Sequence, residues 1–495
     1  MRIIFFILLF QLFSLQEGFS QSYFNKKYDL GGSYDVSQSI VTIDSGYVIC
    51  ANGYHASVGY LGVCLLFLDF NGDTLYSKWV VKQYYGYYDG WGGAFRKYSN
   101  GGFYMGGAIE DTAGTVYAML YRFDENGDTL WTKKYGNGID FYSFNNARET
   151  SDKGFILTGS RTVGSNLQGL LIKTDSLGNI QWQQHYGGSG RDVAVGVVPL
   201  SDGRYLMGGS TETQPCGNVL ENAIWAIRAN NNGSQNWTNC YGGANQENAA
   251  GYPAFEFPNG DIAVVSGFAD PSTYPYIMRI NSSGIVQYEK YVFVDNGDGF
   301  LHSGVRGSND DILGVGMHRP PGVDYGLFMR YDAQVDSLWY RTYQHATNSI
   351  NELWDIDTAH GGGYVMCGTT NQSSVQDVWV IKVDEHGCLN DPDCWYSGPY
   401  VEEEKLSVGI SVLEKENYFS VFPNPNNGRF ILESKIGIRS DLEMKIYNLL
   451  GEILFSSPFN SAKTELDISE FSNGIYFITV TNDGGVLWKS KVVKE

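Results

Sequence analysis

The 495-residue chain is short of charge, and of positive charge above all. Charged residues make up 18%, low for a soluble globular chain. Lysine and arginine number 34 against 54 aspartates and glutamates, a formal net charge of −20. Such a surface repels phosphate backbones and anionic lipid, which excludes nucleic acid as a partner. Beyond the N-terminus no apolar run approaches the roughly 18 residues of a membrane helix, so the mature chain is expected to have no transmembrane segment. The 7 histidines are scattered, with no pair at zinc-ligand spacing, so no metal ligand is assigned to them. No Gly-x-Ser-x-Gly, phosphate loop or dinucleotide fingerprint occurs, and no catalytic residue is assigned. Cysteine is sparse and odd in number, at 7, so at least one stays unpaired within the chain.

Glycine and aromatic residues are abundant instead. Glycine stands at 61 of 495, against roughly 7% on average, and aromatics at 15%. With helix formers scarce, that composition describes many short strands joined by tight turns. At the N-terminus, Arg2, the apolar stretch at residues 3–10 and the small residues Gly18 and Ser20 describe a secretory signal peptide over 1–20. Secretion permits disulfides.

Internal repetition is the strongest signal. Seven strands end on Asp69, Asp124, Asp175, Asn230, Asn281, Asp332 and Asp384, spaced 55, 51, 55, 51, 51 and 52 residues apart. Three residues on stands Gly72, Gly127, Gly178, Gly233, Gly284, Val335 or Gly387. Asp or Asn caps such a turn, and glycine takes the positive φ it needs. An aromatic follows six of the turns: Tyr76, Trp131, Trp182, Trp237, Tyr288 and Trp339. Ahead of each turn a glycine opens an apolar strand, as at Gly46, Gly102, Gly154, Gly203 and Gly363. About four short strands per period, repeated radially, make a β-propeller, and seven anchors argue seven four-stranded blades.

The last period lacks its aromatic strand. The N-terminal Phe24-Asn-Lys-Lys-Tyr28 matches Trp131-Thr-Lys-Lys-Tyr135 almost position for position, so the N-terminal strand is expected to close the last blade. Cys388 and Cys394 would pin the chain just after closure, and Cys216 and Cys240 would bridge within the fourth blade. The pattern resembles secreted bacterial β-propeller repeat families with periods near 50, over roughly residues 21–396. That resemblance bears on fold and leaves function open.

After Tyr396 the repeat stops. Residues 397–418 form a charged linker, and 419–495 alternate apolar residues between Gly and Asn turns, as in a small β-sandwich. Its landmarks are Pro423, Asn424, Pro425 and Gly428, then Tyr447, Asn448 and Gly451, then Gly474, Ile475 and Tyr476, and finally Lys491 and Lys494. This segment closely resembles the type A C-terminal sorting domain of the type IX secretion system of Bacteroidota. The resemblance implies passage through the periplasm, recognition by the type IX machinery, and either attachment to the outer face of the outer membrane or release.

Candidate binding chemistry follows the repeat. One acid stands where the chain enters each inner strand: Asp35, Asp89, Asp140, Asp192, Glu247, Asp298 and Glu352. These could line the channel as an acidic ring for a cation or a basic ligand; the plainer role is turn capping. Asp69 to Asp73 and Asp124 to Asp128 resemble half a calcium loop, which makes calcium a candidate ion, although both sites also read as hairpin turns. Basic residues precede six turns, at Arg122, Lys173, Arg228, Arg279, Arg330 and Lys382, and their recurrence suggests a structural position. Tyr84, Tyr85, Tyr87, Tyr88, Trp91, Phe141 and Tyr142 crowd two adjacent links between blades, where exposed aromatics stack on sugars or bury against proteins. The leading expectation is therefore an exported propeller that binds glycan or protein. A polysaccharide-active hydrolase or lyase and a structural surface component are the alternatives.

Overall fold

The computed structural model describes residues 23–32, 34–213, 223–241, 251–269, 273–292, 294, 297–345, 350–372, 375–389, 419–434, 442–448, 453–459, 461–482 and 485–495. Residues 1–20, the linker at 397–418, Cys216, Glu247, Cys394 and Gly451 lie outside the described residues. Two compact units divide the chain, Met1–Lys405 and Leu406–Glu495. Apart from one 3-10 turn at Ser308–Asp310, the regular structure among the described residues is strand. None of it is a helix long and apolar enough to cross a membrane.

In the first unit, seven antiparallel sheets follow one another along the chain. We number them by span: sheet 1, 36–80; sheet 2, 86–135; sheet 3, 142–186; sheet 4, 192–241; sheet 5, 252–291; sheet 6, 298–343; and sheet 7, 350–383 with Phe24–Tyr28. Five are four-stranded meanders, sheet 7 is a three-stranded meander completed by the N-terminal strand, and in sheet 2 the first strand is split in two. The N-terminal strand Phe24–Tyr28 is the fourth strand of sheet 7, paired antiparallel with Val375–Val383 from Phe24↔Lys382 to Tyr28↔Val378. Each sheet packs on the next, and sheet 7 packs on sheet 1.

The apolar core lies in the seams between sheets. Seven separate clusters of buried side chains occupy the seven seams; the one between sheets 7 and 1 joins Val365, Val378 and Val380 to Ile40, Ile49 and Leu66. Fourth strands carry less of it: Thr74–Val80 and Ile180–Tyr186 are largely exposed. This is why the chain has many strands but few long apolar runs.

The recurring turn locks each seam. Asp69 Oδ1 accepts the backbone N–H groups of Asn71 and Asp73, and Asp124, Asp175, Asp332 and Asp384 repeat the arrangement. Glycine ends the turn at φ 76° in Gly72, a conformation costly for any side chain. A Cβ there would lie 2.7 Å from the ring of Phe24, and one on Gly178 3.1 Å from the ring of Trp131, so glycine also makes room for the preceding sheet's outer aromatic. One further bond recurs beside it. The hydroxyls of Tyr28, Tyr135, Tyr186, Tyr241 and Tyr343, each ending a fourth strand, donate to the carbonyls of Gly72, Gly178, Gly233, Gly284 and Gly387 at 2.6–2.8 Å.

The second unit has a three-stranded sheet (Phe419–Phe422, Arg429–Ser434, Lys463–Asp467) and a four-stranded sheet (Ile453–Pro458, Glu443–Tyr447, Gly474–Asn482, Gly485–Lys494). Phe430, Leu432 and Leu466 of the first share one buried cluster with Met444, Ile446, Ile478, Val480 and Val492 of the second.

Candidate functional site

The first strands meet near the axis of the first unit, and six of them carry a bulge at the same place, for example between Leu301 and Ser303 and between Leu353 and Asp355. A bulge re-aims one side chain and bends its strand. In sheet 2 the bulge is enlarged. Strand Gly86–Asp89 stops, residues 90–94 loop out, and Phe95–Lys97 resumes the pairing. This loop reaches four other sheets. The Gly93 N–H donates to Gln38 O of sheet 1 at 3.1 Å, and Asn146 Nδ2 and Arg148 of sheet 3 donate to the carbonyls of Gly92 and Gly93 at 3.1 and 2.7 Å. A Cβ on Gly92 would lie 2.8 Å from His302 O of sheet 6 and 3.8 Å from Trp354 O of sheet 7. Glycine is required here, because no side chain fits between those carbonyls. The loop plugs the axis.

Beside the plug lies an ionic knot that the sequence reading missed. Fully buried Asp355 of sheet 7 accepts a bidentate pair from Arg96 of sheet 2 (2.6 and 3.0 Å), the Ser303 hydroxyl of sheet 6 (2.9 Å) and the Ile40 N–H of sheet 1 (3.0 Å). Burial, and then the like charge of Arg96, lowers Arg148 to about 10. The bulged residues of sheets 6 and 7, His302 and Trp354, stack at 3.8 Å and 17°, and His302 Nε2 lies 2.7 Å from Glu352 Oε1.

The six described acids expected at the inner strands each engage different groups. The plug occupies the axis, and each acid has its own surroundings. Asp140 accepts from Asn137 Nδ2 at 2.7 Å and lies 3.6 Å from Arg161. Asp192 is buried and takes the hydroxyls of Thr211 and Thr213 and the Gly188 N–H. Glu352 holds His302, and Asp298 opens sheet 6 opposite Arg319. Asp89 is buried and neither of its oxygens takes a hydrogen bond of ordinary geometry; burial pushes its carboxyl well above the usual range, although the Cys50 thiol interacts with it. Asp35 is buried with Oδ2 on the Leu30 N–H at 2.8 Å and Oδ1 unpartnered, and burial raises it to about 6 against the pull of the Leu30 and Gly32 amides.

The expected aromatic patch separates into two kinds of residue. Tyr85 and Tyr87 pack against the core of the sheet 1–sheet 2 seam, and Tyr142 is buried in the next seam beneath Arg161, whose guanidinium is 5.0 Å from its ring. Tyr84 is 59% exposed, at φ 68°, with its ring 5.4 Å from Tyr60; Trp91 and Phe141 are each 38% exposed. Tyr88 donates to Glu110 Oε2 at 3.1 Å. Sequence reasoning missed Tyr34 and Tyr54, which are 44% and 45% exposed and join this face. Burial and then the neighbouring Asp89 and Tyr54 raise the Tyr34 phenol, and burial, Glu110, Tyr54 and Tyr34 raise that of Tyr88, so Tyr34, Tyr54 and Tyr88 form one group. Asn52 holds the two sheets together there, donating to Tyr87 O at 2.8 Å and accepting the Asp89 N–H at 3.0 Å.

The other sequence candidates are structural. Arg122 bonds the carbonyls of Phe103 and Phe123 and lies 4.1 Å over Tyr98; Lys173, Arg228, Arg279 and Arg330 pair with Asp152, Asp202, Asp261 and Asp311; Lys382 reaches Phe70 O at 3.4 Å. In the half calcium loops, Asp73 and Asp128 pair with Lys26 and Lys78 at 2.7 Å. Cys240 and Cys388 are disulfide-bonded, and Cys50, Cys64 and Cys367 are free and buried.

In the second unit the Pro423–Gly428 turn clasps the last strand. Asn424 donates to Lys491 O at 2.6 Å and accepts the Val493 N–H at 2.7 Å, and the Glu495 N–H donates to Asn426 O at 2.9 Å. Gly428 sits at φ 102°, where a Cβ would be 2.7 Å from Ser469 Cα. Buried Lys494 reaches the carbonyls of Ser469 and Phe471, and the Tyr476 hydroxyl that of Ser472 at 2.6 Å. Tyr447 pairs with Phe477, Gly474 with Lys494 and Ile475 with Val493, while Asn448 follows the strand end.

No curated protein matches this chain. Among solved structures it is similar to PorZ, an essential surface component of the type IX secretion system of Porphyromonas gingivalis, at 12% identity and a TM-score of 0.33, over 90% of this chain and 64% of that one. The chain thus spans 64% of the length of PorZ. It is also similar to the β-propeller domain of the trilobed protease from Pyrococcus furiosus (7% identity, TM-score 0.41, 74% and 97% covered) and to the polysaccharide lyase Uly1 (8%, 0.43, 74% and 93%). Residues 420–495 match the family described as the secretion system C-terminal sorting domain. The four-stranded antiparallel sheets of the first unit are like propeller blades, and the C-terminal unit carries a type IX sorting domain, which marks the chain for export to the cell surface.

Proposed function

We propose that the first unit (21–396) is a seven-bladed β-propeller closed by its N-terminal strand, and that it binds glycan on the tyrosine-bearing face of sheets 1 and 2. A signal peptide over 1–20 starts its export. The sorting domain, a small β-sandwich at 419–495 behind the linker 397–418, directs the chain through the type IX machinery to the exterior of the outer membrane or into the medium. The observation that carries the binding role is the group Tyr34, Tyr54 and Tyr88, with Glu110 on Tyr88, together with exposed Tyr84 against Tyr60. Flat phenol faces stack on sugar rings, and nearby carboxylates accept sugar hydroxyls. Glycan-array binding by the mature chain, lost in the double variant Tyr54→Ala/Tyr84→Ala, is the expected result. Binding to a protein and to no glycan would move the reading to a protein ligand.

The His302–Glu352 pair supports a second reading, a polysaccharide-active enzyme, because an imidazole oriented by a carboxylate is a usable general base. Turnover of an array hit, abolished by Glu352→Gln, would favour it. A chain that binds nothing would be a structural surface component.

A further inference from the structure

The seam between sheets 7 and 1 holds a cluster of acids of which the repeat supplies only Asp35. Carboxylate oxygens of Asp29, Asp35 and Asp377 lie within 4.8 Å of one another. They come from three parts of the chain: the link leaving the N-terminal strand, the start of sheet 1, and the third strand of sheet 7. Asp29 is exposed; Asp35 and Asp377 are buried. Lys27 Nζ lies 2.7 Å from Asp377 Oδ2, so one positive charge faces three negative ones. The second observation is Asp35 Oδ1, which is buried without a hydrogen bond of ordinary geometry, while Oδ2 is held by the Leu30 N–H and the Gly32 amide acts on the carboxylate. A buried carboxylate oxygen left unpaired is costly unless a proton or a cation meets it.

We propose that Asp29, Asp35 and Asp377 bind a calcium ion that ties the closing strand to the sheets on either side of it. Three carboxylates without nitrogen or sulfur ligands select a hard cation. Oxygens within 4.8 Å of one another suit the roughly 2.3–2.6 Å radius of a calcium shell, whose irregular geometry also admits carbonyls and water. Lys27 is 42% exposed and occupies one oxygen of Asp377, leaving the other for the ion. The ion's place is outside the cell, where free calcium is plentiful, which rests on export by the sorting domain and not on the glycan reading.

The test uses the full mature chain stripped with a chelator, with terbium as a luminescent calcium substitute. Trp79 is the expected sensitiser, since a Cβ on Gly53 would lie 2.6 Å from Asp35 Oδ1 and 3.3 Å from the Trp79 ring. Excitation of tryptophan should give terbium emission that calcium competes away over about 0.1–10 mM, with a parallel rise in melting temperature of about 2 °C. Asp35→Asn should abolish both effects. If Asp35→Asn fails to fold, Asp29→Asn, at an exposed position, should weaken calcium competition at least about tenfold, one lost carboxylate ligand being worth about that factor. No sensitised emission from the parent, or emission and melting shift unchanged in the variants, would overturn the site.

Discussion

Asp89 is a carboxyl group with no place for a charge. It is 7% exposed, its oxygens lack ordinary hydrogen bonds, and burial lifts its pKa well above that of a free aspartate. The folded chain therefore binds this proton more tightly than the unfolded chain. Stability from Asp89 is full below about pH 4, the unfolded value, and is lost as pH rises toward the folded one. Asp89→Asn should accordingly leave the melting temperature near that of the parent at pH 4 and raise it at pH 8, as read by thermal melts across that range. Equal melts at pH 8 would mean that Asp89 is ionised and paired. The repeat pointed to Asp89 as a position but not to its isolation, which depends on Asn52 and the plug. Asp355 left no such mark. The places equivalent to it after the bulge hold Ser39, Asn146, Gly196, Phe255 and Ser303, so no recurring acid flagged the hub of the axis.

Among elements, the N-terminal strand matters most. Tyr28 and Phe24 meet the Gly72 turn just as Tyr135 and Trp131 meet the Gly178 turn, so the closing seam is built like an internal one. Tyr28→Phe removes one partly buried hydrogen bond and should cost about 1 kcal/mol in urea unfolding, matched by Tyr135→Phe. Deleting residues 22–28 exposes the edge of sheet 7 and opens the core around Ile49 and Val380, and should lower the melting temperature sharply. An unchanged melt would show that the strand closes nothing. The strand was legible because its Lys-Lys-Tyr ending copies that of residues 133–135. The plug at 90–94 was not: a Gly-Trp-Gly-Gly stretch reads as a surface link, and its course across the axis is set by Gln38, Asn146 and His302, far away in sequence.

At the scale of the whole molecule, the chain joins a body of propeller-like sheets to an export device. The landmarks of the C-terminal unit were readable because each has a local job there: Asn424 clasps the last strand, Gly428 clears Ser469, and Lys494 caps two carbonyls. Deletion of 419–495 should leave the chain in the periplasm, and normal surface delivery on fractionation would contradict that role. The face proposed to bind was only partly readable, since Tyr34 and Tyr54 lie on sheet 1 and its link, outside the aromatic-rich segments. The most direct measurement is glycan-array binding of the mature chain beside Tyr54→Ala/Tyr84→Ala at equal folded concentration. The account expects a defined set of glycans bound by the parent and lost at least about tenfold in the variant, the stacking contacts together being worth more than about 1.4 kcal/mol. A parent that binds no glycan, or a variant that binds as well as the parent, would contradict it.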